Sequence, residues 1–138
     1  MGIIIPRKIP HLLPTDTPVA KRYLDMVRDV AIRIEYDVQV GVGRPTTFDL
    51  SEAMQKMALD ISRRRIDIVV HFPTMIYTVE VTRRAGLKAI GQLIAYPVLY
   101  KQTFTPTKKV VPLLVAAELG DDILPVLTEH KIQYILLP

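Results

Sequence analysis

Residues 110–117 read Val-Val-Pro-Leu-Leu-Val-Ala-Ala, with no polar side chain among them. A strand this apolar throughout is the pattern of one covered on both faces. Such a strand belongs inside a sheet that carries helices on its two sides. The rest of the chain is organised around that requirement.

Residues 1–16 read as an extended, Pro-rich arm, and 17–138 as a single domain. Asp16 or Thr17 can cap a helix that starts near Pro18. Over 20–30, Tyr23, Leu24, Val27 and either Val30 or Ala31 form one stripe. Over 32–42 the chain alternates, with Ile32, Ile34, Tyr36, Val38, Val40 and Val42 on one strand face. Arg33, Glu35, Asp37 and Gln39 take the other face. Residues 50–62 carry a helical stripe of Ala53, Met54, Met57, Ala58 and Ile61, capped by Asp49 or Ser51. Residues 66–72 and 75–82 are expected to be antiparallel strands joined at Pro73-Thr74. A helix over 86–100, kinked or limited by Pro97, then the strand from 110, a helix over 121–130 and a strand over 132–137 complete the order. Helices alternate with strands in the second half, so parallel pairing is expected there. The fold class is α/β, with a central mixed sheet of about five strands flanked by helices.

Composition narrows the function. With 138 residues, 49% of them hydrophobic, the chain can bury one sizeable core. No apolar run reaches the roughly 18 residues of a membrane span. No signal-peptide pattern opens the chain. A cytoplasmic protein with no membrane partner is therefore expected. The absence of cysteine excludes disulfides, thiolate zinc sites and a Cys nucleophile. A net charge of +4 suits a polyanion partner. The cations cluster at Arg63, Arg64 and Arg65, at Arg83 and Arg84, and at Lys101, Lys108 and Lys109. Arg64 and Arg65 are candidate phosphate contacts.

Asp67 and Glu80 carry the chemistry. They fall on two adjacent strands, among Ile66, Ile68, Val69 and Val70. A carboxylate in such apolar company is costly unless paired or ligated. Two carboxylates can hold Mg²⁺ or Mn²⁺, with waters and substrate oxygens completing the shell. Glu80 shares its strand face with Thr78, Thr82 and Arg84. Gln92 and Tyr96, four apart, share one helix face, and Lys88 precedes Gln92 by four on the same face. His71 lies on the face of Asp67, where a structural role is the ordinary one. His11 and His130 have no partner pattern.

In this arrangement, residues 65–137 resemble the core of the PD-(D/E)xK nuclease superfamily, which includes restriction endonucleases, archaeal Holliday junction resolvases and RecB-type exonucleases. Asp67 matches the first acidic position and Glu80-Val81-Thr82 the acidic-x-Lys position. Gln92-Leu93-Ile94-Ala95-Tyr96 is similar to the Gln-x-x-x-Tyr motif, in which Gln positions the site and Tyr contacts DNA. Glu35 falls near an extra acidic ligand of some members. The resemblance implies a restriction-endonuclease-like core. It implies a metal-dependent DNA endonuclease, resolvase-like or restriction-like, that cuts as a homodimer. Asp67, Glu80, Lys88 and Gln92 would be catalytic. Asp67, Glu80 and Glu35 would hold Mg²⁺ or Mn²⁺, and Tyr96, Arg84, Arg64 and Arg65 would meet DNA. The departure is Thr82, which stands where the family has Lys. Lys88, on the following helix, and Arg84 are the candidates to replace it. The alternative is an inactive protein of the same fold that binds DNA or serves as an assembly subunit, as in a virus or mobile element.

Overall fold

The structure is a computed structural model that describes residues 2–43, 51–56 and 64–138. Among them, α1 spans Thr17–Val27, β1 Arg33–Val40, β2 Arg64–His71 and β3 Met75–Ala85. Then follow α2 (Leu87–Phe104), β4 (Lys109–Leu119), α3 (Ile123–Glu129) and β5 (Gln133–Leu136). The five strands lie side by side in sequence order. β1, β2 and β3 pair antiparallel, whereas β3, β4 and β5 pair parallel. This is the expected mixed sheet flanked by helices. Parallel neighbours need a crossover, and α2 and α3 supply the two.

β4 is covered on both sides, as its sequence requires. Leu113 and Val115 pack with Val19, Ala20, Tyr23 and Leu24 of α1. Leu114 and Ala116 face the other way, into Ala89, Ile90 and Leu93 of α2 and Ile123 and Leu127 of α3. Full burial of one such side chain contributes about 1.5–3 kcal/mol. A third cluster joins Val38, Val40, Ile66 and Val69 to Tyr96 and Tyr100 of α2. The N-terminal arm adds to the α1 side. Ile9 is buried there, with Ile5 and Leu12 packed beside it.

Several boundaries differ from the sequence expectation. α1 stops at Val27, so Val30 is exposed while Ala31 packs on the core. α2 continues through Pro97 to Phe104. The missing donor of Pro97 costs one helical hydrogen bond. Burial of Tyr96, Pro97 and Tyr100 on the sheet side of the helix offsets that loss. Arg64 and Arg65 lie inside β2, paired with Val40 and Gln39, rather than in a basic turn. Most of the helix expected over 50–62, with Asp49, Met57, Ala58 and Ile61, lies outside the described residues, as does Arg63. Residues 52–56 are helical, and Ser51 Oγ accepts the Met54 N–H at 3.3 Å.

β1 does not keep one apolar face. Ile34 and Tyr36 pack on the α1 side, but Val38 and Val40 pack on the α2 side. Asp37 lies between them with φ 51°, in the left-handed region. The alternation of the strand changes sense at this residue. Ile32 and Val42 are exposed beyond the strand ends.

Candidate active site

β2 and β3 are paired from His71 and Ile76 as far as Ile68 and Val79. β3 then goes on beside β4 to Ala85, while the start of β2 stays with β1. The strands therefore part where Asp67 and Glu80 would be the next pair. Backbone N–H groups of β3 that face the opening have lost their strand partner, and buried donors need one. Two carboxylates take that place. Asp67 Oδ2 accepts the Val81 N–H at 3.0 Å, and Asp16 Oδ1 accepts the Arg83 N–H at 2.7 Å.

Asp67 and Glu80 face each other inside this opening. Glu80 is only 4% exposed, and its Oε1 has no hydrogen-bond partner. Burial first, then the charge and carboxyl contact of Asp67, push Glu80 up to about 10. Asp67 is raised as well, chiefly by burial, against the pull of the Val81 N–H and the Glu80 carboxyl. Two such groups side by side cannot both ionise readily, and the pair favours one proton held between them. The Lys88 ammonium acts in the opposite direction on Glu80.

The pair opens into a cavity of about 450 Å³. β3 lines it with Val81, Thr82 and Arg84, and α2 lines it with Lys88, Ala89 and Gln92. Thr82 Oγ bonds the Arg84 carbonyl at 3.3 Å. Arg84 leans on Glu118 at 3.6 Å and on Asp121 at 3.8 Å. Lys88 is exposed and has no ion pair among the described residues.

The other candidates stand further off. Gln92 Nε2 lies 3.4 Å from Tyr96 Oη. Tyr96 is buried, among Val38, Ile66 and Tyr100. Its hydroxyl is raised above the ordinary value, mainly by burial, with Gln92 and Arg64 pulling it down. Arg64 is exposed near that ring. Arg65 is bound to Asp37 Oδ2 at 2.6 Å. Glu35 is not beside Asp67: its Oε1 lies 2.6 Å from His71 Nε2 and 3.1 Å from Arg33. Gln92 lines the cavity, whereas Tyr96, Arg64, Arg65 and Glu35 do not.

The arm supplies what sequence reasoning missed. His11, Leu12, Leu13 and Asp16 form one wall of the cavity. Asp16 reads as a helix cap and does precede α1, yet it makes no side-chain cap bond. His11 Nε2 lies 3.0 Å from Asp37 Oδ2. Asp37 in turn occupies the β1 register position opposite Asp67, between the pairs Tyr36–Ile68 and Val38–Ile66. An Asp amid strand-forming neighbours was the available signal for Asp37.

The donor set suits a hard divalent cation. An orphaned, buried carboxylate oxygen beside a second carboxylate is the kind of oxygen pair that such a cation could bind. Among the described residues no group of three or more His, Cys, Asp or Glu is close enough to hold a metal ion. The rest of the shell would come from water and substrate.

No known protein family and no curated protein matches this sequence. Two solved structures are similar in shape. One is the EndoMS–dsDNA2 complex: TM-score 0.48, 12% identity, 97% of this chain and 48% of that one. The other is a repair endonuclease from Pyrococcus abyssi: TM-score 0.47, 14% identity, 94% of this chain and 49% of that one. The chain spans about half the length of each. Among the described residues no helix is long and apolar enough to cross a membrane.

Proposed function

We propose that this chain is a metal-dependent DNA endonuclease with a restriction-endonuclease-like core. One observation carries the reading: Glu80, buried and with an orphaned oxygen, faces Asp67 where β2 and β3 separate. Asp67 and Glu80 hold the cation, Mg²⁺ or Mn²⁺. When bound, it supplies an activated water and offsets the charge of the scissile phosphate. Glu80, as a carboxylate, would be one of its ligands. Lys88, exposed on the cavity rim, stabilises the phosphate in place of the family's Lys. Gln92, on the cavity wall, positions the site, and Tyr96 steadies Gln92 from the core side. Arg84 and Arg64 contribute positive charge toward the DNA backbone.

A second reading has its own observation. Thr82 turns its hydroxyl onto the Arg84 carbonyl and brings no charge to the pair. On that reading the site binds DNA without cutting it. Incubation of the purified protein with supercoiled, linear and branched DNA in Mg²⁺ or Mn²⁺, beside Glu80→Ala, separates the two. Cleavage by the parent alone supports the nuclease. A gel shift without cleavage in either metal supports the binding protein. Sedimentation of the free protein tests the expected homodimer.

A further inference from the structure

We infer that Asp16 is a positioning residue for the Asp67–Glu80 pair, clamping β3 through the Arg83 N–H where the strand has left β2. The inference rests on the proposed reading of that pair as a cation and phosphate site.

Asp16 is 8% exposed and precedes α1 at the position of a helix cap. An Asp there ordinarily turns its carboxylate back to the first helical N–H groups. This one does not. It reaches across to β3 and accepts the Arg83 N–H at 2.7 Å.

The location gives the bond its purpose. The N–H groups of Val81 and Arg83 would extend the β2–β3 ladder if the strands stayed together. Asp67 takes the first and Asp16 the second. With both donors satisfied by side chains, β3 has no reason to close onto β2. The opening between the strands persists, and Glu80 and Thr82, still paired with β4, line it. Asp16 lines the same cavity, so its bond acts on the wall that carries Glu80. The rest of the arm holds Asp16 there, through buried Ile9 and through His11 on Asp37. In metal proteins, groups that orient ligands without touching the metal typically matter 10–100-fold to affinity.

The test uses the full chain as Asp16→Ala and Asp16→Asn. Three quantities are read: amide exchange at Arg83, the carboxyl ¹³C shift of Glu80, and Mn²⁺ affinity by electron paramagnetic resonance. In Asp16→Ala, Arg83 should exchange about tenfold faster or more, the Glu80 signal should move, and Mn²⁺ should bind roughly 10–100-fold more weakly. Asp16→Asn keeps a carbonyl acceptor and should stay within a few-fold of the parent on all three. Unchanged exchange and an unmoved Glu80 signal in Asp16→Ala would overturn the inference. So would an Asp16→Asn as impaired as Asp16→Ala, because the charge and not the clamp would then matter. If Asp16→Ala does not fold, Asp16→Glu replaces it, since one added methylene displaces the acceptor. A parent that binds no Mn²⁺ sinks the proposed function instead. The exchange rate and the Glu80 signal then still decide the role of Asp16.

Discussion

Asp67 stands opposite Glu80 at the point where β2 and β3 separate, so that two carboxyl groups meet in a buried wedge with one oxygen unpartnered. In an ordinary antiparallel pair, two acidic residues directly opposite each other destabilise the sheet. Here the strain is relieved by a shared proton or, on the proposed reading, by a cation.

The proton sets a pH dependence. Burial and Asp67 raise Glu80 in the folded chain from 4.5 to about 10. A folded value above the unfolded one gives stability that is complete below about 4.5 and is lost as pH rises toward about 10. Thermal melts of the chelated protein should therefore fall from acidic to alkaline buffer. Glu80→Gln should flatten that profile. At neutral pH it should be more stable than the parent by about 1–3 kcal/mol, because the parent must take up a proton at Glu80 on folding and the amide need not. Added Mg²⁺ should stabilise the parent and not the variant. A parent whose melting point does not change with pH in chelator would refute the shared proton.

Asp37 holds β1 in its reversed alternation with φ 51°. Asp and Asn tolerate this region, and a β-branched residue does not. Asp37→Val should cost about 1–3 kcal/mol in urea unfolding. Asp37→Asn should keep the strand and lose only part of the pairing to Arg65 and His11. Equal stabilities for the two variants would mean the backbone there is relaxed.

Much of this was legible in the sequence. The uninterrupted apolar run of β4 demanded cover on both faces, and helices provide it. Asp67 and Glu80 stood out because carboxylates are rare among apolar strand neighbours. Their meeting followed from a hairpin turned at Pro73-Thr74. What stayed hidden depends on distance. Asp16 binds a backbone group 67 residues away, and nothing local distinguishes that role from a helix cap. The reversal at Asp37 was hidden differently. A period of two assigns faces only while every residue stays in the β region, and one left-handed residue breaks it.

Gly120 tests the corner that feeds the helix of the site. Its N–H bonds the Ala85 carbonyl at 2.8 Å, and a Cβ there would lie 2.6 Å from that same oxygen. A backbone oxygen at the end of β3 has little room to retreat. Gly120→Ala should therefore destabilise the protein by about 1–3 kcal/mol. It should also move Gly86 and the start of α2, and with them Lys88 and Gln92. Backbone chemical shifts across 85–92 check this directly, and an unperturbed segment would show that the corner yields elsewhere.

Lys88 and Thr82 decide whether the proposed cleavage draws positive charge from α2. Lys88 is exposed, so Lys88→Ala should fold with an unchanged melting point. Its charge nonetheless reaches Glu80 and opposes the proton there. If it serves the phosphate as well, its loss should slow single-turnover DNA cleavage in Mg²⁺ by roughly 10²–10³-fold. Thr82 lies on the same wall of the cavity, two residues along β3 from Glu80 and on the same face. A lysine there would bring its charge to the wall that carries Glu80. Thr82→Lys added to Lys88→Ala should therefore recover about tenfold or more of the lost rate, while Thr82→Lys alone should change the parent little. Recovery would mean that positive charge beside Glu80 is what the chemistry needs and that α2 supplies it in this chain. Full activity in Lys88→Ala would move that role to Arg84, whose removal from Glu118 and Asp121 would then be the next substitution to measure.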